Sequence, residues 1–175
     1  MIIGEPNLFS IFIDVVEEWN YDRSFNNGLL FVDINGTIFP NKIIEATLNT
    51  ELYELIQNLE NIKENTDVFL MGKEEAFVYI YKLVFPDDYD VDNDYSYNVT
   101  PFVLWDNNYF VFMVSNGHEI RILASELQYI NEESVHNLHK LEVVEAYISV
   151  ERLQAMTKRL KSFQLEIQEK VILYN

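Results

Sequence analysis

The stretch LLFVDINGTIF, residues 29–39, carries the strongest fold signal in the chain. Two apolar runs flank the dipeptide Asn35-Gly36, which favours the type I′ turn that joins neighbouring antiparallel strands. The stretch therefore predicts a β-hairpin.

Further strands are predicted on both sides of this hairpin. Apolar residues at a period of two in residues 8–18 predict a strand that is buried on most of both faces. Residues 102–124 contain a turn at 106–108 and a second one at Asn116-Gly117, a pattern that predicts a three-stranded meander. Residues 141–149 predict another strand.

Three segments have apolar residues at spacings of three and four, which is typical of helices that bury one face. They are residues 50–62, with Thr50 as a possible N-cap, residues 73–84, and residues 150–170. The mixture of hairpins and helices predicts an α+β fold, with an antiparallel sheet of about six strands and helices packed on one face. We expect one domain over residues 1–175.

The charge of the chain is strongly negative and unevenly distributed. Twenty-nine Asp and Glu residues against 12 Lys and Arg residues give a net charge of −17, and residues 151–175 alone carry a small positive charge of +2. A negative surface repels nucleic acid and anionic membranes and attracts basic partners. The composition therefore favours a protein-binding function over a nucleic-acid-binding or membrane-binding one.

The sequence also indicates the compartment in which the protein acts. The chain has no cysteine, which excludes disulfides and thiolate metal sites and is compatible with a reducing compartment. Its first residues lack the positive charge of a signal peptide, and no apolar run is long enough to span a membrane. We therefore expect a cytoplasmic protein.

Residues 87–98, DDYDVDNDYSYN, form an acidic segment with interleaved tyrosines. Rigid aromatic rings beside charges are typical of interface hot spots, so the segment is a candidate partner-binding loop. A plain solvated loop is the alternative. The candidate contact residues are Asp88, Tyr89, Asp90, Asp92, Asp94, Tyr95 and Tyr97.

Metal binding is not predicted from the acidic segment or from the histidines. Read as a calcium loop, the segment has Asn93 where the turn glycine belongs and Val99 where the bidentate glutamate belongs. His136 and His139 have an HxxH spacing, but two histidines do not complete a zinc site, and an ordinary surface helix explains them. We expect no metal and no cofactor.

An enzymatic function has little support in the sequence. The chain contains no GxSxG, GxxxxGK[ST], GxGxxG or HExxH motif. Pairs of carboxylates such as Glu17-Glu18 could serve acid-base chemistry, but they arise freely in a chain with this many acids. We predict no catalytic residues.

The opening MIIGEPNLFSIFIDVVEEWN, continued by SFNNGLLFVDINGTIFP and echoed by FMVSNGHEIRIL, resembles immunity protein family forty-two of bacterial polymorphic-toxin systems. The resemblance implies a small cytoplasmic protein that binds a cognate toxin domain and protects the producing cell. It transfers no site residues.

The leading hypothesis is thus a non-enzymatic immunity protein whose acidic, aromatic-bearing surface binds a basic toxin domain, with a nuclease as one candidate for the toxin. Two alternatives stay open. One is a structural or adaptor module that self-associates through the basic stripe of the last helix, and the other is a carboxylate-based enzyme, which requires two close acids with perturbed pKa values in a cleft.

Overall fold

The structure, a computed structural model, describes residues 1–20, 25–88, 90–130 and 136–172, with side chains described up to residue 169. These residues contain eight β-strands and five α-helices. The strands are β1 (Ile2–Glu5), β2 (Phe9–Val15), β3 (Asn27–Ile34), β4 (Thr37–Phe39), β5 (Ala46–Thr47), β6 (Tyr109–Ser115), β7 (Glu119–Glu126) and β8 (Val144–Ser149). The helices are α1 (Leu48–Glu60), α2 (Thr66–Leu70), α3 (Lys73–Val84), α4 (Phe102–Trp105) and α5 (Val150–Ile172). The predicted α+β class is confirmed.

The first sheet contains the predicted hairpin. Its strand order is β1-β2-β3-β4, β5 pairs with β3, and all pairs are antiparallel. Strands β3 and β4 are joined by Asn35 and Gly36, whose φ angles are 51° and 81°. Two successive positive φ values are what a type I′ turn requires, and Asn and Gly adopt them at the lowest cost.

The second sheet is a separate antiparallel meander of β6, β7 and β8. The prediction of a strand within residues 102–105 is wrong, because this segment forms the short helix α4. Pro101 precedes the helix with φ −57°, and the Asp106 amide donates to the Phe102 carbonyl over 2.9 Å. A proline at the start of a helical turn supplies the required φ and loses no hydrogen bond.

The two sheets bury their strands differently from the prediction. In β2, Ile11 and Ile13 are buried while Phe12 and Asp14 are exposed, so the expected burial of both faces is wrong for this strand. In β6 all seven residues are buried. Alternate side chains of β6 enter two different apolar clusters, which places the second sheet between two cores.

Helices pack on both sides of the second sheet. The larger core joins the inner face of the first sheet, one face of the second sheet, α1 and α5. The smaller core joins the other face of the second sheet to α2 and α3. The predicted arrangement of helices on one face of a single sheet is thus replaced by two sheets, of which the second has helices on both faces.

The helix predictions are confirmed for α1, α3 and α5. The five apolar residues that define the predicted stripe of α5 are all buried in the larger core: Leu153, Met156, Leu160, Phe163 and Ile167. The N-cap position of α1 is Thr47 rather than Thr50. None of the described helices combines the length and the apolar character that a membrane span requires.

Candidate partner-binding surface

The acidic segment, called here the acidic loop (residues 87–98), is tied to the end of α3 by hydrogen bonds. The Asp94 amide donates to the Leu83 carbonyl over 2.8 Å, and Asn93 Nδ2 donates to the Val84 carbonyl over 2.7 Å. Asp88 Oδ1 accepts from the Asp90 amide at 3.0 Å. The described part of the loop therefore has a defined backbone course.

The carboxylates of the acidic loop fall into two groups. Asp88, Asp90 and Asp92 are exposed. Asp94 is partly buried, accepts from the Ser96 amide at 2.9 Å and forms an ion pair with Lys63 at 3.1 Å. Hydrogen bonds from the side chain and backbone of Ser96, with a smaller contribution from Lys63, lower the pKa of Asp94. Asp94 therefore shapes the loop, while the carboxylates of Asp88, Asp90 and Asp92 face solvent.

The tyrosines of the acidic loop also differ from one another. Tyr95 is 53% exposed and its ring lies 6.3 Å from the ring of Trp105. Tyr97 is 1% exposed, and its hydroxyl accepts from Asn65 Nδ2 at 2.9 Å. The prediction that Tyr97 belongs to the contact surface is wrong, because its ring packs in the smaller core. Tyr89 lies outside the described residues.

Trp105 links the acidic loop to the core beneath it. Its ring centroid lies 5.1 Å from that of Phe85 and 5.4 Å from that of Phe110. The exposed ring of Tyr95 packs against the outer side of this aromatic cluster. This arrangement restricts the Tyr95 ring and keeps it accessible, which suits an interface anchor.

The histidines are placed differently from the prediction. Residues 136–139 are not helical: His136 forms an isolated β-bridge with Tyr129. His136 Nδ1 lies 2.6 Å from the Tyr81 hydroxyl, and its Nε2 lies 3.0 Å from Asn108 Oδ1. Burial lowers the pKa of His136. Both ring nitrogens are thus engaged, and the described residues contain no group of three metal-ligating side chains.

Arg121 is a buried structural residue that sequence reasoning missed. It is 2% exposed, and its guanidinium donates to Glu145 at 2.9 and 3.1 Å. It also donates to the carbonyls of Phe69 and Met71 at 2.9 and 2.7 Å, which ties the end of α2 to the second sheet. The signal was available in principle, since Arg121 is the one basic residue within the apolar β7 pattern.

Glu51 is a second buried charged group that sequence reasoning missed. It is 5% exposed in the first turn of α1, and its Oε1 accepts from the Val103 amide of α4 at 2.9 Å. Burial raises the pKa of Glu51 to about 7, with a smaller upward contribution from Asp106. A glutamate in the first turn of a helix is explained by its favourable interaction with the helix dipole. The sequence position of Glu51 therefore did not indicate that it is buried.

Part of the basic stripe of α5 forms ion pairs with acidic residues of the same chain. Arg152 forms an ion pair with Glu5 at 2.8 Å, and Lys161 forms one with Glu60. The stripe consists of Arg152, Lys158, Arg159 and Lys161, so two of its four basic residues already have acidic partners. The remaining two, Lys158 and Arg159, are exposed.

The fold and this surface define a small acidic α+β protein with a carboxylate-rich loop that carries the exposed ring of Tyr95. The chain belongs to the Immunity protein 42 family, which matches residues 1–164. The predicted family is confirmed, and membership in an immunity protein family implies a cognate toxin as partner.

A solved structure has the same fold. CdiI from Burkholderia dolosa AUO158 superposes with a TM-score of 0.74 at 22% sequence identity, over 93% of this chain and 99% of that chain. No curated protein matches the chain.

Proposed function

We propose that this protein is a non-enzymatic immunity protein that acts in the cytoplasm and neutralises a cognate toxin domain by binding it through the acidic loop. The family supplies the class of partner. The observation that carries the choice of surface is the set of exposed carboxylates of Asp88, Asp90 and Asp92 beside Tyr95, on a loop held by backbone hydrogen bonds.

This surface suits a basic partner. Exposed carboxylates that lie close together attract positive charge and accelerate encounter, which matters for a protein that must capture a toxin quickly. The hydrogen bonds that hold Asn93 and Asp94 to the end of α3 reduce the conformational entropy that this part of the loop loses on binding. We infer that the toxin domain presents a basic face and that covering this face blocks its action. A nuclease fits this description, because nucleic-acid-binding grooves are basic.

The acidic loop can be tested with a matched pair of triple variants. In Asp90→Asn/Asp92→Asn/Tyr95→Ala, two exposed charges and one exposed ring are removed, while the structural residues Asp94 and Tyr97 are kept. The control Glu17→Gln/Glu18→Gln/Tyr53→Ala removes the same kinds of group from exposed positions elsewhere.

We expect the loop variant to bind the cognate toxin domain at least about thirtyfold more weakly, because losing an interface anchor costs about 2 kcal/mol or more. The control should bind within about twofold of the parent. Both variants should keep their stability to within about 0.5 kcal/mol per exposed change. Full protection of toxin-expressing cells by a normally folded loop variant would contradict the choice of surface.

Salt provides an independent measurement of the electrostatic part of the proposal. Charges at the surface are screened over about 8 Å at physiological ionic strength, so the association rate should fall steeply as salt is raised. Stopped-flow rates that stay constant from low to high salt would show that electrostatic attraction does not guide the encounter.

A further inference from the structure

Lys63 lies outside the acidic loop in the chain but contacts it in the structure. Its Nζ donates to Asp94 Oδ2 over 3.1 Å and lies 4.8 Å from the centre of the Tyr97 ring. Asp94 is itself fixed by the Ser96 amide, and Tyr97 is buried. Two fixed partners therefore hold the ammonium of Lys63 at the edge of the acidic loop.

The ammonium of Lys63 keeps hydrogen-bonding capacity for another molecule. A lysine ammonium has three N–H donors, and among the described residues the hydrogen bond of Lys63 goes to Asp94. The Lys63 side chain is 41% exposed. The hydrogen bond to Asp94 raises the pKa of Lys63, so the group is charged at neutral pH. A charged donor that is already held in place binds an acceptor at a small cost in side-chain entropy.

An exposed tyrosine accompanies each member of this ion pair. Tyr95 follows Asp94 in the chain, and its ring is exposed. Tyr79 of α3 is also exposed, and it lies close enough to Lys63 to contribute to the raised pKa of that lysine. Tyrosine rings around a charged group of fixed geometry are typical of the centre of a protein interface. The candidate surface therefore extends from the acidic loop across Lys63 to α3.

The positive charge of Lys63 sets a requirement on the partner. The exposed carboxylates of Asp88, Asp90 and Asp92 attract a basic face, whereas a cation placed opposite Lys63 is repelled. A basic face that carries one acidic side chain opposite Lys63 satisfies both conditions. Repulsion between like charges excludes wrong partners, so one cation among carboxylates discriminates between basic faces that the loop attracts equally.

We propose that the ammonium of Lys63 donates to a carboxylate of the cognate toxin domain, and that Tyr79 packs in the same interface. The toxin face is then basic with one acidic side chain opposite Lys63, and Lys63 selects the cognate toxin among basic proteins. The inference rests on the proposed function, because the toxin supplies the carboxylate.

Rates of binding to the cognate toxin domain test the proposal, because charge attraction and direct contact predict different results. Lys63→Met removes the charge, keeps an unbranched chain beside the Tyr97 ring and makes the protein more negative. Attraction alone therefore predicts that dissociation becomes no faster. Loss of a direct contact predicts dissociation at least about tenfold faster. The control Arg152→Met removes a positive charge from an exposed ion pair at the first sheet and should dissociate within about twofold of the parent.

A double-mutant cycle separates a contact with the toxin from a role in holding the acidic loop. Each Asp and Glu on the toxin surface is changed in turn to Asn or Gln. The change at the contacting carboxylate should weaken binding to the parent at least about fivefold and leave binding to Lys63→Met within about twofold. A lysine that only holds Asp94 is coupled to no toxin carboxylate. Lys63→Met should fold, because exposed ion pairs contribute little to stability, and a melting curve verifies this.

Two results would overturn the proposal: dissociation of folded Lys63→Met within twofold of the parent, and the absence of any toxin carboxylate that is coupled to Lys63. If Lys63→Met does not fold, Tyr79→Ala replaces it and should bind at least about tenfold more weakly. Unchanged binding by Tyr79→Ala would then overturn the proposal. If the triple loop variant loses binding and Lys63→Met does not, the inference fails and the proposed function stands. A parent that binds no toxin contradicts the proposed function itself.

Discussion

The two sheets of this protein contrast in how their faces are covered. The first sheet turns one face inward and leaves Ile2, Phe12 and Ile38 of its outer face exposed, whereas the second sheet lies between two apolar clusters. The difference shows in the strands themselves, since β2 alternates between buried and exposed residues along Ile11 to Asp14 and β6 is buried throughout. The second sheet therefore holds the fold together, and the first sheet closes one side of it.

The largest effect should come from phenylalanine truncations that compare the two sheets. Phe112 of β6 is fully buried, and Phe112→Ala should lower the free energy of unfolding by about 3 to 5 kcal/mol. Phe12 of β2 is 36% exposed, so Phe12→Ala should cost about 1 kcal/mol. Denaturant unfolding measures both values. Equal losses would mean that the outer face of the first sheet is as constrained as the second sheet.

A pair of arginine substitutions compares a buried ion pair of the second sheet with an exposed one at the first. Arg121→Met leaves the carbonyls of Phe69 and Met71 without their donor, and we expect a loss of about 3 kcal/mol. Arg152→Met breaks the exposed pair with Glu5 and should cost within about 0.5 kcal/mol. If both variants melted like the parent, Arg121 would not be needed to hold α2 on the sheet.

The stability of the protein should depend on pH through Glu51. This residue joins α1, which follows the first sheet in the chain, to α4, which precedes the second sheet. Its pKa is about 7 in the folded protein, above the ordinary glutamate value of 4.5, because burial disfavours the ionised form, so the folded state holds the proton more tightly. The resulting stability is fully present below about pH 4.5 and is lost as pH rises through 7, on the order of 3 kcal/mol at most.

Glu51→Gln removes this dependence and checks it. The variant should match the parent near pH 4.5 and exceed it by about 1 to 3 kcal/mol at pH 8, as measured by denaturant unfolding across this range. The exposed change Glu75→Gln serves as the reference. A constant difference between Glu51→Gln and the parent at all pH values would show that Glu51 does not titrate in this window.

The smallest expected effect concerns the hydroxyls of two tyrosines beside the second sheet. Tyr97→Phe loses the hydrogen bond from Asn65 and should cost about 1 kcal/mol. Tyr95→Phe changes an exposed ring and should leave stability within about 0.5 kcal/mol. Thermal unfolding of the two variants gives the comparison. A larger loss for Tyr95→Phe would contradict the assignment of Tyr97 to the core and of Tyr95 to the surface.

The candidate surface could be predicted in part from the sequence. The concentration of aspartates in residues 87–98 marks an exposed segment, because so many charges cannot be buried together. The separate roles of Asp94 and Tyr97 could not be predicted, since Lys63 and Asn65, their partners, lie about thirty residues earlier in the chain. Contacts at that separation leave no local pattern.

The sequence by itself determined the β3–β4 hairpin, the apolar faces of α1, α3 and α5, and the negative net charge. A turn that requires two positive φ angles and a helix that buries one face both depend on neighbouring residues. Only the tertiary structure decided that the strands divide into two sheets, that residues 102–105 are helical and that Glu51 and Arg121 are buried. Burial depends on which distant elements cover a residue, and the same short apolar run suits a strand or a helix until its neighbours are in place.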